Sequence, residues 1–124
     1  MHLSNAVILV VEDEVLIRMD VVDQLSAEGY VALEASSGRE ALSALADAEK
    51  VDVLFTDIDM PGDTDGVMLA NEVSQTWPGI GIIVTSGKAS PDPGSLPQGS
   101  RFCTKPYSPS AVHAAIQEIL AKPD

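Results

Sequence analysis

The chain has 124 residues, 45% of them hydrophobic, and a formal net charge of −12. This length suits one domain with a single core, and the apolar fraction is too high for a disordered chain. Only seven Lys and Arg residues stand against 19 Asp and Glu residues. Nucleic acid and anionic membrane surfaces are therefore poor candidates for direct partners, because binding to phosphate needs clustered basic side chains.

The sequence shows no signal for export or membrane insertion. The first apolar run begins at Ala6 and stops at Glu12, and no Lys or Arg precedes it, unlike the start of a signal peptide. No stretch approaches the ~20 apolar residues that a membrane helix needs. Cys103, the single cysteine, excludes an internal disulfide, and its place in an apolar run favours a buried, inert thiol. We expect a cytoplasmic protein.

Five short apolar runs rich in Val, Ile and Leu predict β-strands. They lie near residues 6–11, 30–35, 51–56, 80–85 and 101–104. Segments with helical spacing separate them. Strands that are apolar on both faces and alternate with helices are typical of right-handed crossovers and a parallel sheet covered on both sides. The pattern predicts an α/β fold with one domain over residues 1–124.

Four helices are predicted between and after these strands. They begin near Glu14, Ser37, Asp65 and Ser108, and the last has proline in its first position. The first helix is expected to run to Glu28, with Gly29 as its C-terminal stop. Its apolar face is predicted to consist of Val15, Leu16, Met19, Val22 and Leu25.

One segment breaks the alternation of strands and helices. Between Thr85 and Arg101 the chain contains three prolines and three glycines, which forbid a long regular helix. At most one short turn fits, around Pro93 to Leu96. The helix that would connect the fourth and fifth strands, the fourth helix of a complete alternating fold, is therefore expected to be short or absent.

Polar side chains stand at the ends of four predicted strands. Glu12 and Asp13 follow the first strand, Asp57 ends the third, Thr85 ends the fourth and Lys105 follows the fifth. In a parallel sheet these ends meet at one edge, where open α/β folds bind their ligands. Acids, a hydroxyl and an amine at one edge suit a divalent cation and a phosphoryl group.

Together these motifs resemble the receiver domain of response regulators in two-component signalling, including its chemotaxis members. The resemblance covers roughly Val7 to Leu120 and rests on the acidic pair, an Asp-x-x-Met-Pro-Gly stretch from Asp57 to Gly62, a Thr-Ser pair and a Lys-Pro pair. It implies a flavodoxin-like, doubly wound, five-stranded parallel sheet in the order 2-1-3-4-5, with helices on both faces.

The resemblance also implies roles for individual residues. Asp57 would take a phosphoryl group from a histidine kinase or a histidine phosphotransfer protein. Mg²⁺ or Mn²⁺ would be held by the carboxylates of Glu12, Asp13 and Asp57 and by the backbone carbonyl of Asp59. Lys105 would neutralise a phosphoryl oxygen.

Four further positions are expected to act on the phosphorylated state. The Thr85 hydroxyl would bind the phosphoryl group, and the Phe102 ring would then turn inward and report this state to a downstream protein. Asp59 and Gly87 would tune hydrolysis of the acyl phosphate. Gly66 lies one residue later after Asp57 than the family pattern, so the loop through Asp63 and Thr64 is expected to be longer.

Two other functions stay open at this point. The order Asp57-x-Asp59, Thr85 and Lys105 also resembles haloacid-dehalogenase-type phosphatases, but no acidic pair follows Lys105 and no substrate-capping insertion is present. A pseudo-receiver that binds partners without phosphorylation is the second alternative, although such modules usually lack one of the key residues. A calcium loop is disfavoured because Met68 stands where its closing glutamate would be.

The predicted molecule is a signalling module that catalyses only its own phosphorylation and dephosphorylation. Four residues follow Leu120, which leaves no room for a DNA-binding domain in this chain. We expect either a free-standing bacterial regulator or the receiver part of a longer protein such as a hybrid histidine kinase.

Overall fold

The computed structural model describes residues 6–59, 65–87 and 93–121 and contains five strands and four helices within these ranges. The strands are β1 (Val7–Val11), β2 (Val31–Ala35), β3 (Val53–Asp57), β4 (Gly81–Ser86) and β5 (Arg101–Thr104). The helices are α1 (Val15–Ala27), α2 (Gly38–Asp47), α3 (Gly66–Thr76) and α4 (Pro109–Ala121). In this part of the chain no helix is long and apolar enough to cross a membrane.

All five strands are parallel, in the order β2-β1-β3-β4-β5. The predicted fold class and strand order are therefore confirmed. The register places Asp57 of β3 beside Thr85 of β4. It also aligns Val11 of β1 with Thr56, so that the carboxyl ends of the three central strands meet at one edge.

Each face of the sheet carries its own apolar layer, because successive side chains of a strand point to opposite faces. On one face α1 and α4 cover the sheet, with a core that includes Val21, Leu25, Phe55, Val112 and Ile116. On the other face α2 and α3 do so, with a core that includes Ala41, Leu45, Leu54, Leu69 and Val73. Cys103 is buried as predicted, and burial raises the pKa of its thiol.

Helix ends form where the sequence predicts them. Gly29 adopts φ 94°, its N–H donates to Ser26, and the N–H of Tyr30 donates to Leu25, so the end of α1 is closed by a glycine in the left-handed region. The side chains of Ser37 and Asp65 accept hydrogen bonds from backbone N–H groups in the first turns of α2 and α3.

The predicted apolar face of α1 is right for Leu25, which is buried, and for Val22, which packs against the core, but wrong for the first half of the helix. Val21 and Leu25 are each 2% exposed, whereas Val15, Leu16 and Met19 are 54%, 80% and 52% exposed. Apolar side chains occupy both sides of this helix, and contact with the sheet selects the side of Val21. The structure therefore leaves a group of large apolar side chains in solvent at the start of α1.

The segment after β4 carries no long helix in the part that the structure describes. A single 3₁₀ turn spans Pro93–Ser95, which confirms the predicted short turn. No regular helix occupies residues 93–100, between β4 and β5, as predicted. The amide of Asn71 on α3 donates to the Ser95 carbonyl at 2.8 Å and fixes this turn. Predictions about residues 88–92 lie outside the described residues.

Candidate functional site

The site is formed at the carboxyl edge of the sheet around Asp57. Asp57 is 2% exposed and ends β3, which is buried along its whole length. Glu12, directly after β1, is equally buried, and Asp13 beside it is exposed. Lys105 follows β5 and is held by a hydrogen bond from its backbone N–H to the Ser86 carbonyl at 2.8 Å. The strand ends thus bring together the acids and the amine that the sequence predicts there.

Lys105 bridges the two buried acids. Its Nζ donates to Asp57 Oδ2 at 3.0 Å and to Glu12 Oε1 at 3.1 Å. Partial burial acts to lower the pKa of Lys105, but the hydrogen bonds and charges of Asp57 and Glu12 outweigh it and raise the pKa above its usual value. The ammonium is therefore charged at neutral pH and lies against the oxygen of Asp57.

Glu12 is the acid most affected by this environment. Burial raises the pKa of its carboxyl, a hydrogen bond from the Glu14 N–H opposes that change, and the neighbouring Asp57 charge adds to it. Two buried carboxylates so close together repel each other unless cations compensate them. The site favours added positive charge beyond the single ammonium of Lys105.

The acids can supply ligands to a metal ion. Glu12, Asp13 and Asp57 each offer a carboxylate oxygen, and these three oxygens lie within 4.8 Å of one another. A set made only of oxygens suits a hard divalent cation such as Mg²⁺ or Mn²⁺. The predicted ligation by the Asp59 carbonyl stays a prediction.

Thr85 borders the site with an unsatisfied hydroxyl. The residue is 0% exposed, and its Oγ1 finds no hydrogen-bond partner among the residues that the structure describes. A buried hydroxyl without a partner is costly, so this position suits an added acceptor group. The ring of Phe102 on β5 is partly buried against the α2 and α3 side of the core. The switching roles of both residues stay predictions.

The two predicted tuning positions differ in their surroundings. The N–H of Asp59 donates to Asp57 Oδ1 at 2.9 Å, and its own Oδ2 accepts from the Ser86 hydroxyl at 2.7 Å. Gly87 is exposed, and a Cβ placed there would meet no atom of the described residues within 4 Å. Asp59 is thus fixed beside Asp57, while the space over Gly87 is open.

Sequence reasoning missed three contributors. Ser86 was noted only as part of a Thr-Ser pair. Arg18 of α1 donates from Nη1 to the Glu12 carbonyl at 2.7 Å and from Nε to Glu34 at 3.1 Å. Tyr107 packs edge-on against Phe55, and burial followed by the Glu12 charge raises its pKa to about 12. Arg18 lies one helical turn after Glu14, which follows the acidic pair, and this spacing is a signal that could have indicated its contact with the site.

Some predicted features lie outside the described residues. These are the Met-Pro-Gly part of the motif at residues 60–62 and the longer loop expected at residues 63–64. The Lys105–Pro106 bond of the Lys-Pro motif lies within them and is cis.

Comparisons with known proteins agree on one family. A family model for the response regulator receiver domain matches residues 8–117. The sensor kinase CckA of Brucella abortus is 36% identical over 125 aligned positions, which cover 98% of this chain and 13% of that protein. A response regulator receiver protein from Sinorhizobium medicae has a TM-score of 0.87 at 26% identity, covering 96% of this chain and 97% of the other.

A second solved structure is similar at higher identity. The receiver domain from the hybrid histidine kinase CckA has a TM-score of 0.77 at 30% identity, covering 93% of this chain and 99% of that domain. The chain thus spans nearly all of the solved receiver domains but only a small part of the sensor kinase.

Proposed function

Since this chain belongs to the response regulator receiver family, we propose that Asp57 is its phosphoacceptor in a two-component phosphorelay. The bond between phosphorus and the histidine of a kinase or phosphotransfer protein breaks, and an acyl phosphate forms on Asp57. The observation that supports this most strongly is the buried Asp57 carboxylate in contact with the Lys105 ammonium at 3.0 Å. This family assignment favours a receiver over a haloacid-dehalogenase-type phosphatase.

Glu12, Asp13 and Asp57 would hold Mg²⁺ or Mn²⁺ in this reaction, with the Asp59 carbonyl as a further ligand. A bound divalent cation supplies charge that stabilises the phosphoryl oxygens in the transition state. Lys105 has the reach to neutralise another phosphoryl oxygen, since its Nζ already contacts the acceptor carboxylate. Three acids and one amine leave a deficit of positive charge, which supports the need for a metal.

Thr85 and Phe102 would convert phosphorylation into a change at the surface. The unsatisfied Thr85 hydroxyl gains an acceptor when a phosphoryl group is added to Asp57, its neighbour in the sheet register. Movement of Thr85 toward that group would free space into which the partly buried Phe102 ring turns. The pair would thereby present a different surface to a downstream protein.

The experiment that tests the proposed function is an intact-mass measurement after incubation with acetyl phosphate and Mg²⁺. We expect one added phosphoryl group and none when EDTA replaces the metal. Because rapid hydrolysis hides a short-lived adduct, binding of beryllofluoride with Mg²⁺ is measured in parallel by ¹⁹F NMR. Failure of both would contradict the proposal and favour the pseudo-receiver alternative.

The exposed apolar side chains of α1 support a docking role for this helix. Val15, Leu16 and Met19 are all more than half exposed. Of these three, Leu16 also borders a cavity of about 610 Å³, which is lined by Leu16, Ile17, Asp20, Val21, Lys105, Pro106 and Tyr107. Because Lys105 belongs both to this cavity and to the site, a protein seated here would lie next to Asp57. We assign this surface to the phosphodonor protein.

Leu16→Ala should separate docking from chemistry. We expect it to slow transfer from a phosphorylated histidine kinase about tenfold, the effect of a central apolar contact at an interface. Transfer from acetyl phosphate should stay within about twofold, since Leu16 is 80% exposed on α1 while Asp57 is buried at the end of β3. Radiolabel transfer is followed with the kinase that reacts fastest in a panel of phosphorylated donors.

Val31→Ala is the matched control for Leu16→Ala. Val31 is 46% exposed and begins β2, at the edge of the sheet opposite to the site. It should leave transfer from both donors unchanged. Equal slowing of both donors by Leu16→Ala would contradict the docking assignment, as would no slowing of either.

We propose that residues 1–124 form one receiver domain, which catalyses only its own phosphorylation and dephosphorylation. Because the chain spans only 13% of the related sensor kinase, that kinase's activity is not carried over to this chain.

A further inference from the structure

The side chain of Asp59 is anchored to the end of β4. Its Oδ2 accepts a hydrogen bond from Ser86 Oγ at 2.7 Å, across 27 residues of sequence. Two further bonds hold the same stretch, because the N–H of Asp59 donates to Asp57 and the N–H of Ile58 donates to the Thr85 carbonyl at 3.0 Å. The chain after the phosphoacceptor is thus fixed along β4 by main-chain and side-chain bonds together.

Ser86 is the rigid partner in this contact. It is 1% exposed, pairs with Thr104 in the sheet, and accepts a hydrogen bond from the Lys105 N–H at 2.8 Å. Asp59 is exposed and lies beyond the end of its strand. A hydroxyl that donates to a carboxylate forms one of the stronger hydrogen bonds in proteins. The direction of the Asp59 carboxylate is therefore set by Ser86.

We infer that Ser86 is a positioning residue whose hydroxyl holds the Asp59 carboxylate at β4 and so lengthens the lifetime of the acyl phosphate on Asp57. The inference rests on the proposed function and adds to it the control of dephosphorylation. The Asp59 oxygen that accepts this 2.7 Å bond does not at the same time accept a proton from the water that attacks the phosphoryl group. The bond thereby keeps a carboxylate next to the reaction out of the path of attacking water.

The reaction that this contact controls is hydrolysis. The oxygen of a water molecule attacks phosphorus, the bond between phosphorus and the Asp57 oxygen breaks, and inorganic phosphate leaves. Once released from Ser86, the Asp59 carboxylate would be free to accept the proton of that water as a general base. The open space over Gly87 leaves room for water to approach. Loss of the Ser86 hydroxyl should therefore speed hydrolysis through Asp59.

The test measures loss of the phosphoryl group from Ser86→Ala, Asp59→Asn and the double variant after loading with acetyl phosphate and Mg²⁺. We expect Ser86→Ala to shorten the lifetime about three- to tenfold, a small share of what a fully placed general base contributes. In the Asp59→Asn background the same change should alter the lifetime less than about twofold, because the released group is no longer a base. Ser86→Thr, which keeps the hydroxyl, should restore a lifetime near that of the original protein.

A second readout needs neither metal nor phosphorylation. Hydrogen exchange of the Asp59 N–H in the unphosphorylated protein should quicken about three- to tenfold in Ser86→Ala, because the turn loses its side-chain anchor. Ser26→Ala, a serine exposed at the end of α1, should change neither exchange nor lifetime. An unchanged or longer lifetime in Ser86→Ala would overturn the inference, as would equal shortening with and without Asp59.

Failure of the proposed function and failure of the Ser86 positioning role give different experimental results. If the original protein takes up no phosphoryl group and binds no beryllofluoride, the proposed function fails and this inference fails with it. If the original protein is phosphorylated but Ser86 and Asp59 act independently, only the positioning role of Ser86 is wrong.

Discussion

Replacing Asp57 with Asn should abolish phosphoryl uptake while the fold remains. The amide is not a nucleophile toward phosphorus under these conditions, so no acyl phosphate can form at position 57. With a buried carboxylate as the acceptor, the expected loss is complete rather than partial. The measurement is intact mass after incubation with acetyl phosphate and Mg²⁺, with the site of any adduct located by peptide mapping.

The stability of Asp57→Asn should stay close to that of the original protein. The change weakens the bond from Lys105 Nζ to Asp57 Oδ2, a loss of about 1 kcal/mol for one hydrogen bond. It also removes the repulsion between the buried charges of Asp57 and Glu12, which acts in the opposite direction. Urea unfolding would show whether the two effects cancel.

The matched control is Asp52→Asn. Asp52 precedes β3, where Oδ2 accepts from the Val7 N–H at 2.8 Å, at the other edge of the sheet. This variant should take up one phosphoryl group like the original protein. Stable labelling of Asp57→Asn at another residue would contradict the assignment of the phosphoacceptor.

The position of the site could be predicted because parallel strands leave few choices. Once the five apolar runs are read as one parallel sheet, Asp57, Thr85 and Lys105 must emerge at the same edge. The register then places Asp57 beside Thr85, and a long lysine side chain covers the remaining gap. The position of the site follows from the spacing of residues along the chain and from the shared direction of the strands. It does not depend on how the side chains pack.

The packing of α1 could not be predicted in the same way. Its apolar residues lie on both sides of the helix, so periodicity alone does not choose the side that contacts the sheet. The sheet selects Val21 and Leu25 and leaves Leu16 80% exposed. The proposed docking of a phosphodonor protein on α1 would account for the apolar side chains on its outer side.

The contact between Ser86 and Asp59 was also beyond sequence reasoning. The two residues are 27 positions apart, and they meet because Ile58 and Asp59 continue alongside the end of β4. Strand alternation indicates that Thr85 and Ser86 face opposite ways, yet both are buried because the sheet is covered on both faces. The hydrogen-bond partner of the Ser86 hydroxyl can therefore be identified only from the three-dimensional structure.

Gly66→Ala should be the most destabilising single change near the site. A Cβ at Gly66 would lie 2.2 Å from the Asp57 carbonyl oxygen and 2.4 Å from the Ile58 Cα. Both are backbone atoms, so relief requires movement of α3 or of the chain that carries Asp57. We expect a loss of about 3 kcal/mol in the free energy of unfolding, the upper part of the range for overpacking. The helix propensity of alanine returns at most about 1 kcal/mol of this.

Gly79→Ala separates this steric effect from the general effect of replacing glycine. A Cβ at Gly79 meets no atom within 4 Å, and the φ of that residue is not positive. Both variants are compared by urea unfolding and by beryllofluoride binding with Mg²⁺. Gly66→Ala should lose stability and bind beryllofluoride more weakly, whereas Gly79→Ala should change neither by much. Equal stability of the two variants would show that α3 does not need to approach Asp57 so closely. It would contradict the expectation that packing of this helix against Asp57 holds the site in place.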